Sequence, residues 1–102
     1  MGEIMRFGEA LANACNGKRI ARRGWNGKNM YVYFSPGRLI LVEDWIARFP
    51  SQELTEAEKE RGYVNTMPRL DMVNAQGNRI IGWLAAQPDV LADDWYVVKE
   101  DA

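Results

Sequence analysis

Two runs that read as strands, Lys18–Arg23 and Met30–Phe34, the second rich in β-forming residues, stand only six residues apart, and this spacing narrows the possible folds more than any other feature of the chain. A parallel pair needs a crossover of a dozen residues or more, so the two runs can pair only as an antiparallel hairpin. In the second run Met30, Val32 and Phe34 alternate with Tyr31 and Tyr33, the period-two pattern of a strand with one buried face. The connection reads Gly24-Trp25-Asn26-Gly27-Lys28-Asn29. Asn-Gly is a strong turn signal, and two glycines in six positions predict a tip that exposes several backbone N–H groups.

Ahead of the hairpin, Phe7, Ala10, Leu11, Ala14 and Cys15 fall at i, i+3, i+4, i+7 and i+8, which predicts an amphipathic helix from Phe7 to Cys15 stopped by Asn16-Gly17. On this reading Cys15 lies on the buried stripe as a small core residue rather than a nucleophile. After the hairpin, Ser35-Pro36-Gly37 makes a turn, Arg38 to Val42 a strand, and Asp44 to Phe49 a short helix ended by Pro50. Thr55 and Glu58 form a capping-box pair that starts a charged helix ending at Arg61-Gly62. The stretch 43–65 reads as a variable insertion with a wetted, charged face. Arg69–Val73 and Asn78–Trp83 flank Asn74-Ala75-Gln76-Gly77 as a second hairpin. Gln87-Pro88-Asp89 opens a helical turn through Ala92, and Trp95 to Val98 is a last strand. The fold class is α+β: an N-terminal amphipathic helix packed on a mainly antiparallel sheet with short helical insertions, in a single domain spanning residues 1–102.

With 102 residues the core must be thin, since a domain near this size buries only roughly 60% of its unfolded surface. The single cysteine rules out an internal disulfide, which leaves oligomerisation as the common way to add buried area. A net charge of −1 provides no positive field for a long nucleic acid. With no apolar leader and no long apolar run, a cytoplasmic setting without a membrane is expected. The chain contains no histidine, so the commonest general base and the commonest metal ligand are both missing. No phosphate-loop pattern, dinucleotide fingerprint, paired-cysteine spacing or calcium loop occurs either. A binding protein without catalytic residues, cofactor or metal is expected.

Arg22-Arg23-Gly24-Trp25-Asn26-Gly27-Lys28 is the sharpest chemical cluster. Cations and glycine-freed N–H groups hold phosphates, an indole stacks on a purine, and the Asn26 amide can read a base edge or ribose hydroxyls. The competing reading puts Trp25 on the core and leaves the arginines as a solvated strand end. Arg69 and Asp71 share one strand face, suited either to phosphate and ribose or to a structural ion pair. Of the four tryptophans, Trp45 and Trp95 suit core or subunit contacts. Trp83 is followed by Leu84-Ala85-Ala86-Gln87, small residues that let a ligand or partner approach and make Trp83 and Gln87 candidate contacts.

Phe7-Gly8-Glu9-Ala10-Leu11, then Ala21-Arg22-Arg23-Gly24-Trp25-Asn26-Gly27-Lys28 into Met30-Tyr31, and Trp83-Leu84-Ala85-Ala86-Gln87 with Leu91-Ala92-Asp93-Asp94-Trp95, resemble in order and spacing the second type of Thoeris anti-defence protein of phages. The resemblance covers both ends of the chain and misses the middle insertion. It implies a sponge that binds cyclic nucleotide signals without cleaving them, chiefly the glycocyclic ADP-ribose made by Toll/interleukin-receptor domains, with some members also taking cyclic dinucleotides at a separate site. It also implies a homotetramer with pockets between subunits, stacking and phosphate contacts at Arg23-Gly24-Trp25-Asn26, and Asp71 as a hydroxyl acceptor. The chain departs from the family pattern at Arg69 and Gly82, where a histidine and a proline are common, and an arginine at 69 suits a more phosphorylated ligand. The competing functions are a carboxylate-dependent nucleotide hydrolase and a phage protein that binds a host protein.

Overall fold

The computed structural model describes residues 3–99, arranged as two compact units. One is formed by the chain up to Ser35 and from Arg69 onward, the other by Pro36–Pro68. In the first, α1 (Phe7–Cys15), β1 (Ile20–Arg22), β2 (Tyr31–Ser35), β5 (Arg69–Val73), β6 (Arg79–Ile80), α4 (Gln87–Val90) and β7 (Trp95–Val97) build a five-stranded sheet with helices. Its strand order is β6-β5-β2-β1-β7, and every neighbouring pair is antiparallel.

The expected first helix forms over the predicted residues, with Gly17 beyond its end at φ +93°, the left-handed conformation a glycine adopts without steric cost. Ala10 and Ala14 are fully buried on its sheet-facing side, and their small side chains let the helix come close to Ile20, Val32, Met72 and Trp95, the rest of the buried core. Phe7 tilts its ring against Trp95 with 5.2 Å between centroids. Cys15 differs from the expectation: it is exposed. At roughly 100° per residue it lies about 80° round the helix from Phe7 and further still from Ala10 and Ala14, at the rim of the stripe and off its sheet-facing side.

The first hairpin is wider than predicted. Its ladder holds Ile20 opposite Val32, and β1 has its longer pairing with β7, with Ile20 opposite Val97, Ala21 opposite Tyr96 and Arg22 opposite Trp95. Strand β2 is central and runs in register with the whole of β5, from Tyr31 opposite Val73 to Ser35 opposite Arg69. Strand β6 is only two residues long, where a run to Trp83 was expected, because Gly82 turns the chain at φ +76°. Before α1, Met5 makes a bridge with Trp95, donating N–H to its carbonyl at 2.7 Å and accepting its N–H at 3.1 Å.

The second unit contains β3 (Arg38–Leu41), α2 (Val42–Arg48), α3 (Glu56–Arg61) and β4 (Tyr63–Thr66), with β3 and β4 as an antiparallel pair. The capping box forms as predicted: the Glu58 N–H donates to Thr55 Oγ1 and the Thr55 N–H to Glu58 Oε1. Gly62 ends α3 in a left-handed conformation, and Trp45 packs on Phe49 with 4.5 Å between ring centroids. Strand β4, which was not foreseen, completes this small sheet.

Candidate functional site

The connection from β1 to β2 is held by the residue that precedes it. The Arg22 guanidinium donates from Nε to Asp94 Oδ1 and from Nη1 to Asp89 Oδ1, both at 2.8 Å, and from Nη2 to Asp94 Oδ2 at 3.4 Å. Asp94 and then Asp89 raise the Arg22 pKa above its ordinary value, and the Arg22 hydrogen bonds hold the Asp94 carboxyl below the usual carboxylate range. Asp94 Oδ2 also accepts the Gly24 N–H at 2.8 Å. A Cβ at position 24 would stand 2.8 Å from that same oxygen, so the clamp needs glycine there.

The far end of the loop is also fixed. A Cβ on Gly27 would stand 2.6 Å from both the Ala75 methyl and Met30 Sδ, so the loop backbone lies directly against the turn after β5. Asn29 has φ +62°, a left-handed conformation that Asn tolerates better than most residues. The predicted array of free N–H groups is reduced accordingly. The N–H of Arg23 donates to the Asp94 carbonyl, that of Gly24 to the Asp94 side chain, and that of Trp25 to the Arg22 carbonyl.

Trp25 combines the two roles weighed from the sequence. It is partly buried against the core, with its ring edge-on to Trp95 at 5.3 Å and 78° and to Trp83 at 6.2 Å and 75°. Its indole N–H donates to Asp89 Oδ1 at 3.1 Å. It also lines a groove of about 700 Å³, bounded on the loop side by Arg22, Arg23, Gly27, Lys28 and Asn29 and on the other by Tyr96, Val97 and Lys99. The volume is within the range of small-molecule sites. Among the described residues, four of those lining the groove are cations and none is a carboxylate, in a chain with 13 Lys and Arg against 14 Asp and Glu. The Lys99 wall is tied to β1 through its carbonyl, which accepts from Arg19 Nη2 at 3.3 Å.

Of the residues singled out from the sequence, Arg22, Arg23, Trp25 and Lys28 meet in this groove. Gly24 and Asn26 belong to the same loop without lining it; Gly24 faces Asp94, and Asn26 is exposed. Trp83 packs on Trp25 and Trp95 as part of the core edge, and Gln87 is exposed at the start of α4.

Arg69 and Asp71 lie on β5, two strands from β1. Asp71 is 1% exposed; Ser35 Oγ donates to its Oδ2 at 2.6 Å, while Arg69 Nε at 3.1 Å and the Gly82 N–H at 2.8 Å donate to its Oδ1. Burial alone would raise its pKa, but these donors outweigh burial and hold the carboxyl below its ordinary range. This geometry matches the structural ion pair weighed for the two residues, and Asp71 has its acceptors turned inward.

The sequence reading missed the second wall, Tyr96, Val97 and Lys99, and the two carboxylates of the clamp. The available signal was the final strand pairing with β1, which brings Tyr96 opposite Ala21. Among the described residues no helix is long and apolar enough to cross a membrane.

A family model described as the Thoeris anti-defense 2-like domain matches residues 5–98. A protein of Bacillus phage SP01 named Thoeris anti-defense 2 is 32% identical over 97 residues, which cover 93% of this chain and 96% of that protein. The family-model match takes in the second compact unit and every groove residue but Lys99.

Proposed function

We propose, from the premise that this chain belongs to the Thoeris anti-defense 2-like family, that it acts in phage anti-defence by sequestering a cyclic nucleotide immune signal without cleaving it. The observation that carries this reading is the groove itself, in which Arg23, Lys28 and Lys99 stand beside Trp25 and Tyr96 with no carboxylate among the described lining residues. Arg22 is engaged by Asp89 and Asp94 from behind, and the positive charge that Arg23, Lys28 and Lys99 bring to the lining suits a diphosphate. The aromatic rings offer apolar surface for a base. Glycocyclic ADP-ribose, which joins an adenine to a pyrophosphate, is the ligand we assign to this groove, and cyclic dinucleotides are a second class for a separate site.

Sequestration rather than hydrolysis is supported by the chain's lack of histidine and by the use of the nearby carboxylates. Asp94, held below the ordinary carboxylate range by Arg22, is a poor general base at neutral pH. We further propose a homotetramer working in the cytoplasm of the infected bacterium, with pockets between subunits. Ile81, Leu84 and Leu91, exposed by 62%, 87% and 77%, offer apolar surface for contacts between copies.

The test is a calorimetric titration of the purified protein with glycocyclic ADP-ribose, followed by heating and chromatography of the released ligand. Tight binding with intact recovery is expected. Conversion to a product would replace the sponge with a hydrolase, and the absence of heat would leave a protein–protein role.

A further inference from the structure

Trp25 is the largest side chain in the groove wall, yet its loop does little to set its attitude: the terminal torsion of an indole is broad, and the backbone around it is a turn with glycines on either side. The ring is oriented from outside the groove. Its N–H donates to Asp89 Oδ1 at 3.1 Å, and the same oxygen accepts Arg22 Nη1 at 2.8 Å. Asp89 is itself placed by a second indole, since the Trp95 N–H donates to the Asp89 carbonyl at 2.7 Å. Trp95 is wholly buried, and Asp89 sits in the first turn of α4, its own N–H bonded to the Ala86 carbonyl at 2.9 Å. One residue thus connects the fixed tryptophan of the core with the tryptophan that faces the groove, although it does not line the groove.

We propose that Asp89 is a positioning residue, which turns Trp25 into its ligand-facing attitude through the indole N–H; the ligand-binding part of this proposal rests on the groove being the nucleotide site. The charge and the acceptor of Asp89 have opposite expected effects on an anionic ligand, and this separates positioning from plain electrostatics. Removing the carboxylate leaves Arg22 with less neutralisation and makes the groove more positive, which by itself strengthens anion binding. Removing the acceptor frees the indole, which weakens binding. Asp89→Asn loses the charge and keeps an oxygen able to accept from both Arg22 and Trp25, whereas Asp89→Ala loses both.

Two measurements test this. In the unliganded full chain, labelled at the indole nitrogens and assigned with Trp25→Phe, the Trp25 indole resonance should move in Asp89→Ala and return towards its original position in Asp89→Asn. In a titration with glycocyclic ADP-ribose, Asp89→Ala should bind about tenfold more weakly, the size of one lost hydrogen bond to a charged group, while Asp89→Asn binds at least as well as the parent. In a Trp25→Phe background, which has no N–H to place, Asp89→Ala should cost no further affinity. An unmoved indole resonance, or equal losses from Asp89→Ala with and without the Trp25 N–H, would overturn the positioning role and leave the nucleotide site standing. A resonance that moves as expected in a parent protein that binds no ligand would refute the nucleotide site and retain Asp89 as the residue that orients Trp25.

Discussion

At position 24 a hydrogen atom in place of a methyl group allows the Asp94 carboxylate to reach both the loop backbone and Arg22. Gly24→Ala is expected to push Asp94 away and cost about 1 kcal/mol or more for the lost backbone hydrogen bond, read as a lower urea midpoint at unchanged slope. The same carboxylate gives stability a pH dependence. Asp94 and Asp71 both titrate below the ordinary carboxylate value in the folded chain, so each contributes stability that is present above the unfolded pKa of about 4 and lost as pH falls through the lower folded value. The Tm gap between the parent and Asp94→Asn should therefore be widest near neutral pH and close as the pH drops below about 4. Asp71→Asn should behave in the same sense, and a gap that widens in acid would contradict the ion-pair geometry of both.

At the scale of elements, the clearest prediction concerns α3. Its capping box satisfies two backbone N–H groups at once, so Thr55→Ala should cost about 1 kcal/mol, seen as faster hydrogen exchange at the Glu58 and Lys59 amides. This helix, α1 and β5 were legible from sequence because their signals are local: a reciprocal cap, a stripe ended by Asn16-Gly17, and a segment closed by the Asn74-to-Gly77 turn. The less legible elements depend on distant partners. Strand β4 exists through its pairing with β3, β6 is cut short by the turn at Gly82, and Cys15 escapes burial because the sheet does not reach round to it. The site divides in the same way. Arg22, Arg23, Trp25 and Lys28 form a cluster along the chain and could be read there, whereas Tyr96 and Lys99 join them only through a strand register that spans more than 70 residues. Asp71 faces inward because Ser35 and Gly82 supply donors that strand alternation alone does not reveal.

For the molecule as a whole, the contrast between a net charge of −1 and a groove whose charged lining, among the described residues, is all cationic makes the proposed ligand capture a local electrostatic event. Affinity for glycocyclic ADP-ribose is expected to fall as salt rises. Lys28→Ala and Lys99→Ala should each lower it by roughly tenfold and flatten the salt dependence, both read by titration at two ionic strengths. Light scattering at those salt concentrations tests the assembly, and a tetramer held by apolar contacts should persist where ligand affinity declines.

The bridge between Met5 and Trp95 has a bearing on how copies can meet. Strand β7 is the outermost strand on its side of the sheet, and alternation leaves Trp95 and Val97 with their backbone groups turned away from β1. Met5 has already taken both groups of Trp95, so within β7 an incoming strand would find only Val97 to pair with. The molecule is thereby protected against growing end to end into a continuous ribbon along that side. Copies that associate there must do so through side chains, the kind of contact that can close on itself and stop.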